Sequence, residues 1–263
     1  MFIRRWFSPG AKANVVLCHG IGEHSGRYEG FASYLSEKGF GVFATDFAGH
    51  GMQAGTRGFI KSFTDFISAV RQLTEGVKRI QPDLPVFLFG HSMGGLIATR
   101  VAEEYPNSYR ALAISAPHLF SAKDSVKKLL PLISVVRRVA PKTTFSSSSR
   151  FTPSDLSHNQ RAVERYVDDP YVHDRVSPNL FFGLEDSIDL AMANANKIKI
   201  PTLIVYGSAD RVVDPAGAQE LYKKIESEKR IIEIAGGKHE MFADEERKPQ
   251  FFEAISSFFS EHI

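Results

Sequence analysis

Nucleophilic acyl transfer needs three side chains: a serine held on a tight turn, a histidine to take its proton, and a carboxylate to orient that histidine. The serine this chain offers is Ser92, in Gly90-His91-Ser92-Met93-Gly94. Gly-x-Ser-x-Gly alone also occurs as an ordinary glycine–serine turn, so the context has to carry the reading. Here Val86, Phe87, Leu88 and Phe89 run into the pattern, and residues 96–105 read as a helix behind it. Strand, sharp turn and helix make a nucleophile elbow, with the hydroxyl exposed at the strand's carboxyl end. Gly90 and Gly94 leave room for neighbouring backbone.

Nine histidines compete to be the base. His262 is near the C-terminus, His118, His158 and His173 lie in the middle block of residues 117–199, and His91 sits inside the elbow. His19, His24 and His50 precede the serine, whereas this fold orders its residues serine, acid, histidine. His239 remains, on the loop Gly236-Gly237-Lys238-His239 after the last predicted strand. For the acid, Asp210 stands directly at a strand end and Asp214 one turn later, and the strand end favours Asp210. In these roles Ser92 attacks an acyl carbonyl. His239 accepts its proton and later passes it to the leaving alcohol, while Asp210 fixes the imidazole. Backbone N–H groups of Met93 and of Ile21, in His19-Gly20-Ile21, would hold the oxyanion. Losing one such donor typically costs about 10² to 10³ in rate.

These residues must be carried on elements that bring their ends together. Short apolar runs at residues 14–18, 41–45, 86–89, 111–115, 202–206 and 230–234 read as buried strands, with another at residues 2–7. Helical spacing falls at 28–38, at 63–80 (with Ser62 or Thr64 as cap), at 215–225 and in a final stretch with Phe251, Phe252, Ile255, Phe258 and Phe259. Strands alternating with helices predict an α/β fold, a mostly parallel sheet covered on both faces. Asp46, Ser92, Asp210 and His239 all stand just past predicted strand ends, the edge where such sheets form sites.

Between residues 117 and 199 this rhythm breaks, and the composition turns polar and basic. The block predicts an inserted cap of three or four helices, dividing the core into residues 1–116 and 200–263. Within it residues 125–140 are amphipathic, with Leu129, Leu132, Ile133, Val136 and Val139 sharing a face and Lys127, Ser134 and Arg138 opposing it. Pro131 should kink this helix or start it afresh. Two explanations of the basic helix stand: it buries its stripe on its neighbours, or it rests on lipid and admits acyl chains. The serines at 146–149 read as a mobile loop, and Asp168-Asp169-Pro170 as a turn.

Of the 263 residues, 43% are apolar, ample for a core, and a net charge of +2 gives no reason to expect nucleic acid. Cys18 cannot form an internal disulfide and reads as a buried structural thiol. No secretory leader is visible at the start, and no run approaches the eighteen or so apolar residues that span a bilayer. A cytoplasmic protein, at most peripheral at a membrane, is expected. Neither His19 with His24 nor any cysteine pair or carboxylate cluster suggests a metal, and no phosphate-binding fingerprint follows Gly20 and Gly22.

The stretch His19-Gly20-Ile21-Gly22-Glu23-His24-Ser25-Gly26-Arg27-Tyr28 resembles the oxyanion loop of monoacylglycerol lipases and related lysophospholipases. Asp46-Phe47-Ala48-Gly49-His50-Gly51, Gly90-His91-Ser92-Met93-Gly94-Gly95, Gly207-Ser208-Ala209-Asp210 and Tyr166 with Asp168-Asp169-Pro170 are similar to that family too. The resemblance covers nearly the whole chain. It implies a lidded α/β-hydrolase that cleaves monoacylglycerol to fatty acid and glycerol without a cofactor. It also implies a glycerol-end pocket at Glu23, Arg27, His91 and Tyr166, with Glu23 and Arg27 as a structural ion pair under the oxyanion loop as the alternative. The acyl chain would lie under the cap, where burial is worth about 0.8 kcal/mol per CH₂.

Two departures qualify the match. Family members usually carry a strand before residues 2–7, so an edge strand is expected to be missing or the start shortened, and the cap agrees less well than the core. A broader carboxylesterase or lysophospholipase, and a catalytically silent lipid-binding protein of the same fold, are the competing functions.

Overall fold

The computed structural model describes residues 1–121, 124–147 and 152–263. The elements in order are β1 (Ile3–Trp6), β2 (Ala13–Cys18), α1 (Glu29–Glu37), β3 (Phe40–Thr45), α2 (Thr64–Ile80), β4 (Val86–His91), α3 (Met93–Glu104) and β5 (Leu112–Ser115). Then follow α4 (Leu130–Val139), β6 (Phe145–Ser146), α5 (Gln160–Asp168), β7 (Arg175–Val176) and α6 (Pro178–Asn194). The chain closes with β8 (Thr202–Gly207), α7 (Pro215–Lys224), β9 (Lys229–Ile234) and α8 (Lys248–Ser260).

Seven strands form one sheet in the order β1-β3-β2-β4-β5-β8-β9. All neighbours pair in parallel except β1, which runs antiparallel to β3. The elbow strand β4 lies mid-sheet, with Leu17 opposite Phe89 and Cys18 opposite Gly90 on one side, and His91 opposite Ser115 on the other.

Because side chains alternate across a strand, each strand feeds two cores. Val16, Leu88, Ile114 and Ile204 point into a core completed by α2, α3, α6 and α7. Val15, Leu17, Phe87, Phe89 and Leu203 point into the opposite one, with Phe31 and Leu35 of α1 and the aromatic stripe of α8. That stripe is core packing: Phe251, Phe258 and Phe259 are fully buried. Cys18 is buried in strand β2, and burial raises its thiol far from the reactive range.

Several boundaries differ from expectation for local reasons. The elbow helix starts at Met93, directly after the serine, three residues earlier than apolar spacing suggests, because Gly94 and Gly95 carry no periodic signal. Phe63 occupies the cap position of α2 without a side-chain bond, while the Ser62 hydroxyl accepts the Thr64 N–H at 3.3 Å.

In the middle block, Pro131 starts α4 afresh in its first turn. The two-stranded ribbon of β6 with β7 carries no periodic signal in the sequence. Ser146 ends β6, while residues 148–149 of the serine run lie outside the described residues. The expected apolar stripe of α4 splits. Ile133 and Val136 are half-buried, whereas Leu129, Leu132 and Val139 are exposed, Val139 at 75%. Arg137 holds α4 to α6 by donating to Asn179 at 3.1 Å and lying over the Phe182 ring. Helix α6 itself packs on α3, with Leu180, Leu184 and Ile188 inside a main core. Among the described residues, no helix is long and apolar enough to cross a membrane.

Candidate active site

Ser92 stands between the end of β4 and the start of α3 with φ 54° and ψ −120°, a conformation that a non-glycine residue adopts only under constraint. The constraint is visible around it. A Cβ on Gly90 would lie 2.1 Å from the Gly94 carbonyl oxygen, and one on Gly94 would lie 2.1 Å from that of Cys18. Strand, turn and helix therefore pack closer than any side chain allows. The Ser92 N–H donates to Ser115 O at 2.9 Å, and its carbonyl accepts the Gly95 N–H at 2.9 Å and the His118 N–H at 3.0 Å.

The structure brings Asp210 and His239 together from the loops after β8 and β9. His239 Nδ1 and Asp210 Oδ2 are 2.8 Å apart. Asp210 Oδ1 accepts from Val212 N at 2.8 Å and Val213 N at 3.1 Å, which fixes the carboxylate. Asp214, the other candidate acid, caps α7 instead, accepting from Ala216 N at 2.9 Å. The bond within the Ser92–His239–Asp210 set is the histidine–aspartate one; Ser92 and His239 meet as walls of one small cavity. Ser92 is 5% exposed and His239 4%.

The electrostatics oppose burial. Burial alone would lower His239, but the charge and hydrogen bond of Asp210, with Glu240 and Glu23 beyond, carry it above the ordinary imidazole value. Burial would raise Asp210, and His239 with the two N–H donors holds it below the usual carboxylate range. The neighbouring His91 ring, 4.7 Å from that of His239, is held well below its ordinary value by burial and then by the charge of His239, which favours its neutral form.

Ile21 lines the same cavity, and the N–H of Met93 opens α3 beside Ser92. Among the described residues neither N–H has a protein acceptor.

The four residues expected at a glycerol-end pocket line this cavity together, with Leu156 of the middle block. Two of them are already engaged. Glu23 Oε1 accepts the Gly20 N–H and the Tyr28 hydroxyl, each at 2.6 Å, and Oε2 accepts Arg27 Nη1 at 2.6 Å. Arg27 also donates to both oxygens of Glu240 and lies 4.7 Å beneath the Tyr166 ring. Glu240 and Tyr28 escaped the sequence reading of the site. Glu240 adjoins His239, but its partner Arg27 is 213 residues away and no local pattern joins them.

Asp46 plays a scaffolding part, accepting from Ser25 N, Ser25 Oγ and Met52 N. The site cavity is about 30 Å³, room for a water or two. An adjoining one of about 120 Å³ shares Ile21 and Tyr166 and is walled by Pro153, His173 and Val176. A larger groove of about 920 Å³, between β1 and α2 at Ile3, Arg5, Arg71 and Arg79, shares no residue with Ser92's cavity and offers no comparable chemistry.

The chain that carries this site has counterparts among known proteins over nearly its whole length. The Hydrolase_4 family, described as serine aminopeptidase S33, matches residues 9–246. The chain belongs to this family. This Hydrolase_4 member is 35% identical to a monoacylglycerol lipase of Paleococcus ferrophilus known from its crystal structure. The TM-score is 0.91, over 100% of this chain and 99% of that one. It is 32% identical to human monoglyceride lipase over 249 residues, 93% of this chain and 81% of the human protein. A phospholipase of Bacillus subtilis is 28% identical over 98% of this chain and 99% of its own. The fold is that of the α/β-hydrolases.

Proposed function

We propose that this chain is a serine hydrolase that cleaves monoacylglycerols to a free fatty acid and glycerol. The observation that carries the chemistry is the His239–Asp210 hydrogen bond at 2.8 Å in the cavity that strained Ser92 lines. The similarity to monoacylglycerol lipases over nearly the full chain supports the substrate.

In this reading Ser92 Oγ attacks the ester carbonyl while His239 Nε2 takes its proton, and Asp210 supports the imidazolium. The oxyanion accepts the Ile21 and Met93 N–H groups. On collapse His239 returns the proton to the glycerol oxygen, which leaves, and the acyl group stays on Ser92. Water then attacks the acyl-enzyme with His239 again as base, and the fatty acid departs. No cofactor is needed for any of these steps.

The glycerol end is assigned to the cavity bounded by His91 and Tyr166, with Glu23 and Arg27 behind them. The acyl chain is assigned to the space beneath the cap, taken as residues 117–199, beginning at the cavity beside Ile21 and Tyr166. The exposed side chains of α4, with Lys127, Lys128 and Arg138 around them, suit transient contact with a lipid surface.

Lysophospholipid is the second reading, favoured by the similarity to the Bacillus subtilis phospholipase. Initial rates on monoacylglycerols of rising chain length, beside lysophosphatidylcholine, di- and triacylglycerols and short p-nitrophenyl esters, separate the two. Preference for monoacylglycerols is the expected result. Equal or faster turnover of lysophosphatidylcholine would transfer the assignment to a lysophospholipase, and comparable rates on every ester would leave a general esterase.

A further inference from the structure

Arg27 joins two loops whose spacing an acyl-transfer enzyme has to hold. Its Nη1 donates to Glu23 Oε2 at 2.6 Å and to Glu240 Oε1 at 2.6 Å, and its Nη2 donates to Glu240 Oε2 at 2.7 Å. Glu240 is the residue after His239. Glu23, through Oε1, holds the Gly20 N–H at 2.6 Å, one peptide before the Ile21 N–H. An unbroken chain of charge-assisted bonds therefore runs from the oxyanion loop to the histidine loop. Glu23 and Glu240 are buried, and Tyr166 covers the guanidinium.

An ion pair supporting the oxyanion loop would require one carboxylate. The second, on the residue adjoining His239, leaves the cluster with one guanidinium against two carboxylates. A surplus charge this deeply buried is felt strongly by its neighbours.

We propose that Arg27 and Glu240 are positioning residues: the guanidinium registers the Ile21 N–H against His239, and the surplus charge of the Glu23–Arg27–Glu240 cluster favours the imidazolium that His239 becomes. This rests on the reading of Ser92 as nucleophile and His239 as base. The groups facing His239 are Asp210 from the loop after β8, His91 from β4, Glu23 and Arg27 from the loop after β2, and Glu240 beside it. Burial favours the neutral form of His91 and Asp210 is bonded directly, which leaves Glu240 and Glu23 of the cluster as the carboxylates that act on His239 without touching it.

The test is the pH profile of kcat and kcat/KM for wild type, Glu240→Gln, Glu240→Asp and Arg27→Lys, with Ser92→Ala as control. The substrate is p-nitrophenyl butyrate, whose turnover does not depend on glyceride preference, and thermal melts monitor folding. Removing the Glu240 charge should lower the acid limb of kcat/KM by about one pH unit and kcat about tenfold, with KM changed less than about threefold. Glu240→Asp should return the limb toward wild type. Arg27→Lys, which keeps the charge but loses the fork, should leave the limb in place and lower kcat about tenfold.

A folded Glu240→Gln enzyme with wild-type limb and kcat overturns the proposal. So does a change confined to KM, which would make the cluster a substrate-binding one. Should Glu240→Gln unfold, Arg27→Lys decides, and a displaced limb or an unchanged kcat there overturns it. Undiminished turnover by Ser92→Ala would instead sink the underlying serine–histidine reading.

Discussion

In the proposed reaction His239 has to be neutral when it meets the Ser92 hydroxyl and positive immediately afterwards, and its surroundings favour the second state. Asp210 and the more distant carboxylates lift it above the ordinary imidazole value despite burial. The sign follows for activity: the base works only when deprotonated, so kcat/KM should rise with pH through a value above that of free imidazole. Asp210→Asn removes the main charge opposing burial. It should lower that limb and reduce kcat by about 10³ to 10⁴, as loss of an orienting carboxylate does elsewhere, with little change in melting temperature. A pH–rate profile with a melt of the same variant checks both. At this scale the sequence was legible where chemistry is local. Ser92 sits in a five-residue pattern, and Asp210 and His239 stand at strand ends in the order the fold requires. Glu240 was illegible because its meaning depends on Arg27, which only the folded chain brings to it.

Among the elements, β4 and α3 carry the demand that sets the turn. Gly94 lets α3 approach the carbonyls of Cys18 and His19, where a methyl group would sit 2.1 and 2.6 Å away. Both obstacles are backbone and cannot swing aside. Gly94→Ala should therefore destabilise the fold by about 3 kcal/mol or more, and thermal unfolding beside a surface glycine control such as Gly30→Ala reads it directly. Buried strands were legible because each is short, apolar and bounded by turn residues. The ribbon of β6 with β7 was not, because two residues per strand carry no periodic signal. Helix α4 was legible as amphipathic but not in its partners: Ile133 and Val136 turn inward while Leu132 and Val139 face solvent. Replacing those two by aspartate should reduce co-sedimentation with anionic vesicles and leave kcat on a water-soluble ester within about twofold. Unaltered sedimentation would remove α4 from the lipid-contact proposal.

For the whole molecule the central fact is closure. The middle block rests on the histidine loop through several bonds. Glu240 N donates to Leu156 O at 2.7 Å, His158 Nε2 lies 3.0 Å from Gly236 O, and Lys238 Nζ donates to Ser154 O at 2.6 Å. With about 30 Å³ beside Ser92, the proposed acyl ester would enter only if this cover shifted, and that shift would then be part of the proposed catalytic cycle. The sheet and the division of labour among its strand ends could be read from the chain, because alternation of strand and helix dictates them. How tightly the middle block closes over the site could not, since its contacts join polar residues from distant segments. The most direct measurement is release of glycerol and fatty acid from a monoacylglycerol by wild type and by folded Ser92→Ala. Serine-dependent turnover, lost by about 10⁵-fold or more in the variant, is the predicted result. Turnover that survives in Ser92→Ala, or its absence in wild type, would contradict the account.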